Sequence, residues 1–224
     1  MTRFCHFLTW HKPGAEADTA RIAGLLHGVP GLAAAQIHTP ATAHDPYLHD
    51  GAPPALVVQT HFDDIAAMEA AFAPDGPLQK LADPALLPGA TLTQQAMLAR
   101  AFPVPNAPIP AGAVHCTYLV AYEGTAEDLN AWLAHYIAHH PPIMAKFPAI
   151  RGIEICTRLD WCGRLPVPTV AHMQRNKVVF DSPEALTAAL ASPVRHEMRA
   201  DYHLFPPFSG PVTHFPMRTI AVGR

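Results

Sequence analysis

The stretch Pro30-Gly-Leu-Ala-Ala-Ala-Gln-Ile37 returns later in the chain as Pro148-Ala-Ile-Arg-Gly-Ile-Glu-Ile155. The stretch Phe62-Asp-Asp-Ile-Ala-Ala-Met-Glu-Ala-Ala-Phe-Ala73 returns as Phe180-Asp-Ser-Pro-Glu-Ala-Leu-Thr-Ala-Ala-Leu-Ala191. Both pairs stand 118 residues apart, from Pro30 to Pro148 and from Phe62 to Phe180. Two long matches in one register point to an internal duplication, and a repeat governs how every element is read. Near the start, Phe4-Cys-His-Phe-Leu8 matches His115-Cys-Thr-Tyr-Leu119 at a spacing of 111, so the second copy carries seven further residues ahead of Pro148.

Outward from these anchors, each copy has the same coarse order. A β-like run opens it (residues 3–10 or 114–122), and a helix follows (16–27 or 125–139). Then come a second strand (32–39 or 152–160) and a third (55–62 or 170–180). A second helix opens on Phe-Asp, with Asp63 or Asp181 as its N-cap, and a last strand closes the copy (91–101 or 212–222). Residues 102–112 hold four prolines and no periodicity, which reads as a linker between units 1–101 and 113–224. The order βαββαβ is that of a ferredoxin-like unit. One face of its sheet takes the helices, and a second unit covers the other face. The expected fold class is therefore α+β, two tandem ferredoxin-like units forming one pseudo-dimeric α+β barrel.

Composition narrows the function. Half of the 224 residues are hydrophobic, only 15% are charged, and the formal net charge is −3. No basic field exists to hold nucleic acid or an anionic membrane. No apolar run approaches the roughly 20 residues of a membrane helix, and the N-terminal stretch is too polar for a signal-peptide core. The four cysteines form no CxxC pair and read as free thiols, which suits a cytoplasmic protein. The unusual figure is 15 histidines, as many as all lysines and arginines together.

The extra residues of the second copy bring in Ala134-His-Tyr-Ile-Ala-His-His-Pro-Pro-Ile-Met-Ala-Lys-Phe-Pro148. Trp132, Tyr136 and His140 are spaced four apart and share a helix face. Pro141 and Pro142 would stop the helix just beyond, which places His140 at a C-terminus whose dipole favours the imidazolium. Such a ring can titrate near neutral pH and act as acid or base. His135 and His139 have the spacing of two metal ligands on a helix, but no further ligand stands at a suitable spacing, so no metal is expected. Alternation along the strands puts His172, Gln174 and Asn176 on one face and His214, Pro216 and Arg218 on another. Tyr118 and Tyr122 share a face of the first strand of copy two. Residues 202–208 read as an aromatic lid or a packed connector. No phosphate-binding glycine loop and no Gly-x-Ser-x-Gly elbow is present.

The segment around His140 resembles the EthD-like family of dimeric α+β barrel proteins, in which a helix ends in aromatic-x-x-x-His-x-Pro, followed shortly by Pro-Gly. Tyr136 takes the aromatic position, His140 and Pro142 take His-x-Pro, and Pro148-Ala149 takes Pro-Gly, with alanine in place of the glycine. The first copy is too short there to hold the motif. The resemblance implies a fold that hosts cofactor-free decarboxylases, cyclases and oxygenases of aromatic compounds. The leading expectation is a cofactor-independent carboxy-lyase acting on a small aromatic or phenolic acid, with no cofactor. A cofactor-free monooxygenase and a non-catalytic ligand- or haem-binding barrel are the alternatives. The expected chemical residues are His140, His139, Tyr136, His172 and Arg158, with Arg158 or His172 orienting a carboxylate. The expected binding residues are Trp132, Tyr118, Tyr122, His214 and Tyr202. The expected partner is the small aromatic substrate, with a homodimer allowed.

Overall fold

The computed structural model describes residues 2–223. The first half runs β1 (Thr2–His11), α1 (Thr19–Leu26), β2 (Leu32–Pro40), β3 (Leu56–Phe62), α2 (Ile65–Ala71) and β4 (Thr91–Phe102). The second half runs β5 (His115–Tyr122), α3 (Leu129–Met144), β6 (Gly152–Arg158), β7 (Gln174–Phe180), α4 (Pro183–Leu190), α5 (Val194–Tyr202) and β8 (Val212–Val222). Where the second half has α5, the first has two 3-10 turns, Pro77–Ala82 and Pro84–Leu86.

The eight strands close into one antiparallel barrel in the order β1-β3-β2-β8-β5-β7-β6-β4. Each half thus contributes its strands in the order last, first, third, second. The halves join through β2 with β8 and β4 with β6. Among the described residues, closure leaves no edge strand with unpaired backbone groups.

Alternation sorts the side chains. On β5, Cys116, Tyr118, Val120 and Tyr122 pack outward under the helices, while Leu119 packs with the apolar residues of the barrel interior. That interior holds Cys5, Phe7, Val57, Met97, Ala99, Cys156 and Met217. It also holds a polar cluster. Lys177 donates to Gln36 at 2.6 Å and Gln59 at 2.9 Å, and Glu154 lies 3.1 Å from it. Burial pushes the Glu154 carboxyl up, but Lys177 and His61 outweigh this and hold it well below its ordinary value. Outside the barrel, α1 and α2 cover one core, and α3, α4 and α5 cover the other.

Several boundaries differ from expectation. The caps of α2 and α4 are Asp64 and Ser182, one residue after Asp63 and Asp181. Those two aspartates instead pair with Arg3 and Arg151. Helix α3 runs through Pro141 and Pro142 to Met144, so His140 is not at a helix end. The two prolines forfeit backbone bonds near the terminus. The last turn is held because Pro141 and Met144 are buried and Ala145 N–H bonds the Pro141 carbonyl at 2.9 Å. Helix α5, with its run of charged residues, has no place in the βαββαβ order. At the turn before β6, Ala149 takes the glycine's role with a φ of 58°, as Gly31 does before β2 with 73°.

Candidate functional site

A cavity of about 290 Å³ lies between the outer face of β5, β7 and β8 and the helices α3, α4 and α5. Its apolar walls come from Val120, Met144, Val178, Phe180, Leu186 and Leu190. Its polar groups are Tyr118, Tyr122, His140, Asn176, Arg195, Arg199, Tyr202, His203 and His214. A mostly apolar cavity with a few converging polar groups is the usual form of a small-molecule site.

His140 is the best-positioned titratable group. Its Nδ1 lies 2.6 Å from Asp201 Oδ2, and both side chains are buried. Among the described residues its only hydrogen bond is through Nδ1, and His140 lines the cavity. The carboxylate fixes the tautomer with the proton on Nδ1, leaving the lone pair on Nε2. Burial lowers the His140 pKa below its ordinary 6.5, and the Asp201 hydrogen bond works upward without prevailing. For Asp201, burial works upward, but the contacts with His140 and His135 hold the carboxyl below its usual range. At neutral pH the pair is an imidazole hydrogen-bonded to a carboxylate, poised to accept a proton. This corrects the expected imidazolium preference: there is no helix terminus at His140, and burial works in the opposite direction.

A second histidine–aspartate pair faces the same space. His214 Nδ1 lies 2.9 Å from Asp50 Oδ2, and the His214 backbone N–H donates to the same oxygen at 2.8 Å. Asp45 accepts from Tyr118 Oη at 3.0 Å and from Arg195 Nε and a terminal nitrogen at 3.1 and 2.9 Å. Burial and the Asp45 carboxylate keep the Tyr118 phenol protonated, far above its usual value. Asp45 and Asp50 belong to the β2–β3 loop of the first half, and Leu48 of that loop lines the cavity. One half of the chain therefore closes the cavity of the other.

Of the residues expected from the sequence, the cavity gathers His140, Tyr118, Tyr122, His214 and Tyr202. Trp132 and Tyr136 lie behind it, fully buried and stacked at 5.0 Å. Tyr136 supports the cavity-lining residues from behind: its Oη accepts from Asn176 Nδ2, and its ring lies 4.8 Å from that of His140 and 5.6 Å from that of Tyr122. The other three are elsewhere. His139 is exposed and its ring lies tilted against that of His135 at 4.6 Å, turned away from His140 because a helix turns by about 100° from one residue to the next. Arg158 is exposed at the end of β6. His172 precedes β7 and lines a separate chamber at one end of the barrel. Neither can orient a carboxylate in this cavity. In residues 202–208, Phe205 and Phe208 pack on Trp132 and Tyr122, which makes the segment a packed connector, with Leu204 left exposed.

Sequence reasoning missed Asp201, Asp45, Asp50 and Arg195. The available signal was in α5. Arg195, Met198 and Asp201 are three apart and share a face with its one buried apolar side chain, so charges on that face had to meet partners. Nothing local marked Asp45 or Asp50. Among the described residues, no group of three or more His, Cys, Asp or Glu side chains converges as a metal site. No helix among them is long and apolar enough to cross a membrane.

No protein-family model matches the sequence, and no curated protein matches it. Solved structures do match the fold. An anthrone oxidase-like protein aligns over 99% of this chain and 94% of its own, at 12% identity and a TM-score of 0.64. A protein described as a candidate monooxygenase, from Fusobacterium nucleatum, aligns over 98% of this chain and 92% of its own, at 7% identity and a TM-score of 0.59. A chlorite dismutase variant from Candidatus Nitrospira defluvii aligns over 96% and 90%, at 9% identity and a TM-score of 0.53. At such identities the likeness is one of fold alone, a mixed α+β chain closed as an eight-stranded antiparallel barrel. None of these neighbours is named for a carboxy-lyase.

Proposed function

We propose that this chain is a cofactor-independent oxygenase of a phenolic aromatic compound with an acidic C–H bond, of the anthrone kind. The observation that carries the reading is His140 lining an apolar, aromatic cavity with its Nδ1 held by Asp201, where burial lowers its pKa and favours the neutral ring. A carboxy-lyase would ask this residue to deliver a proton, and burial favours the form that takes one. The names of two fold neighbours, an anthrone oxidase-like protein and a candidate monooxygenase, agree with the oxidative reading.

In this mechanism Nε2 removes a proton from a ring-flanked CH₂ group, and Asp201 stabilises the resulting imidazolium. The electron-rich carbanion passes one electron to O₂. Recombination of the two radicals forms a C–O bond, and the imidazolium returns its proton to give a hydroperoxide. Loss of water leaves a carbonyl. The balance is CH₂ + O₂ → C=O + H₂O, with no external reductant. Arg199 places positive charge beside the cavity where the substrate becomes anionic, while the Arg195 charge is already paired with Asp45. Tyr118, kept protonated, is a hydrogen-bond donor rather than a base.

The architecture extends the reading. We infer that the chain is a tandem pair of ferredoxin-like units of the EthD-like type, one of which has kept the site. The repeat at 118 residues, the matching strand order in each half and the equivalent turns at Gly31 and Ala149 support it.

The direct test is an oxygen electrode with anthrone as probe, in metal-free buffer. One O₂ consumed per anthrone, with anthraquinone as product, is expected. Failure to consume O₂ together with CO₂ release from a phenolic acid would return the chain to the carboxy-lyase reading.

A further inference from the structure

The barrel has a second chamber, distinct in character from the one under the helices. It occupies about 220 Å³ at one end of the barrel, among Phe7, Val57, Leu119, Phe215, His172 and Arg175. Arg175 is on β7, opposite Ala121 on β5 and Cys156 on β6, so it points inward with the barrel core. Its guanidinium lies 4.9 Å from the centre of the Phe7 ring.

This guanidinium has no acceptor. Its Nε is buried without a partner, and among the described residues no side-chain hydrogen bond or ion pair reaches the half-buried guanidinium. The other buried charges of the barrel are satisfied: Lys177 has Gln36, Gln59 and Glu154. Around Arg175, His172 Nδ1 and Gln95 Oε1 are also buried and unpartnered. Glu123 stands at the rim, exposed, and is engaged by Thr213 at 2.9 Å. Burial lowers the Arg175 pKa to about 10, which leaves it cationic at neutral pH. His172 is pushed down to about 3, by burial first and by the Arg175 charge second, so it is a neutral neighbour.

A half-buried cation with no ion pair, and only the exposed rim carboxylate Glu123 nearby, is costly unless something pairs with it. The guanidinium fork matches a carboxylate bidentately. One cation calls for a monoanion, and the Phe7, Val57, Leu119 and Phe215 walls call for an apolar body. The chamber is below the roughly 300–1,000 Å³ of drug-sized pockets, which sets the ligand as small.

We propose that this chamber is a second binding site, for a small monocarboxylate with an apolar body, and that Arg175 is its anchor. The site is independent of the oxygenase reading.

The test is calorimetric titration of the full chain with benzoate at low salt, with inorganic phosphate as competitor. One benzoate per chain is expected, not displaced by phosphate. Arg175→Gln should weaken binding by about 10- to 100-fold or more. Arg175→Lys keeps the charge without the fork and should fall between the two. His140→Gln, in the other cavity, should leave the benzoate affinity within about twofold of wild type. Arg175→Met removes an unpaired charge and should melt no lower than wild type in ligand-free buffer, while losing the rise in Tm that benzoate gives the wild type. The proposal is overturned if the wild type does not bind benzoate at millimolar concentration, or if Arg175→Gln binds it as well. Equal competition by phosphate, loss of binding in His140→Gln, or a markedly lower ligand-free Tm for Arg175→Met would each overturn it too.

Discussion

His140 needs only one neighbour to become a base, and Asp201 supplies it across 61 residues of sequence. Because burial lowers its pKa below 6.5, kcat/KM should be flat above that pH and fall tenfold per unit once the ring protonates. A limb on the alkaline side alone would rule out the base role. His140→Ala and His140→Gln should both lower turnover by about 10²–10⁴-fold while staying folded. Near-wild-type turnover in His140→Gln would transfer the role to His214, which also lines the cavity and has an aspartate of its own. A separate expectation concerns Ala149, whose left-handed φ of 58° costs an alanine roughly 1–2 kcal/mol. Ala149→Gly relieves this and gives part back in unfolded-chain entropy, so chemical denaturation should report a gain of about 0.5–1 kcal/mol.

At the scale of elements, the β2–β3 loop decides how the site is closed. Its Asp45 joins Tyr118 on β5 to Arg195 on α5, and its Asp50 holds His214 on β8. The Asp45–Arg195 pair is largely buried, with side-chain exposures of 6% and 14%. Asp45→Ala leaves that arginine and the phenol unpaired, at a cost of about 3 kcal/mol. In a chain of this size that is a fall in Tm of about 6–12 °C, read by calorimetry, with a higher KM for the substrate. Asp45→Asn keeps an acceptor and should lose less. Helix α3 follows the same logic: its prolines would end an isolated helix, but burial of the final turn carries it to Met144.

Across the whole molecule, burial keeps several histidines neutral. His6 is lowered to about 4 and His172 to about 3, and His38 and His140 are lowered as well, burial being the first cause in each. The unfolded chain protonates these rings below about 6.5, while the folded chain does not. The unfolded state therefore binds more protons, and stability falls as pH falls through this range. Each fully buried ring, His6 and His38 above all, contributes a loss of about 1.4 kcal/mol per pH unit. The lowered carboxylates Asp50, Asp201 and Glu154 act only nearer their ordinary values of about 4, so the window from 6.5 to 5 belongs to the histidines. Tm should drop by several degrees between pH 7 and 5, and a flat profile would show that these rings are not held neutral.

The sequence by itself determined what is periodic and local. The repeat at 118 residues, the alternation of the strands and the helix-face stripe of Trp132, Tyr136 and His140 were legible, because side-chain direction follows from spacing within one element. The fully closed ring was foreseeable only in outline, from the need to cover a second sheet face. Tertiary structure alone decided the rest. It set which stripe residue meets the cavity: His140 does, while Trp132 and Tyr136 pack behind it. It sent His172 into the barrel end and left Arg158 at the surface. It brought Asp201, Asp45 and Asp50 to their partners from 61, 150 and 164 residues away. The physical reason is that a carboxylate's effect depends on distance and burial, and neither is a property of a sequence window.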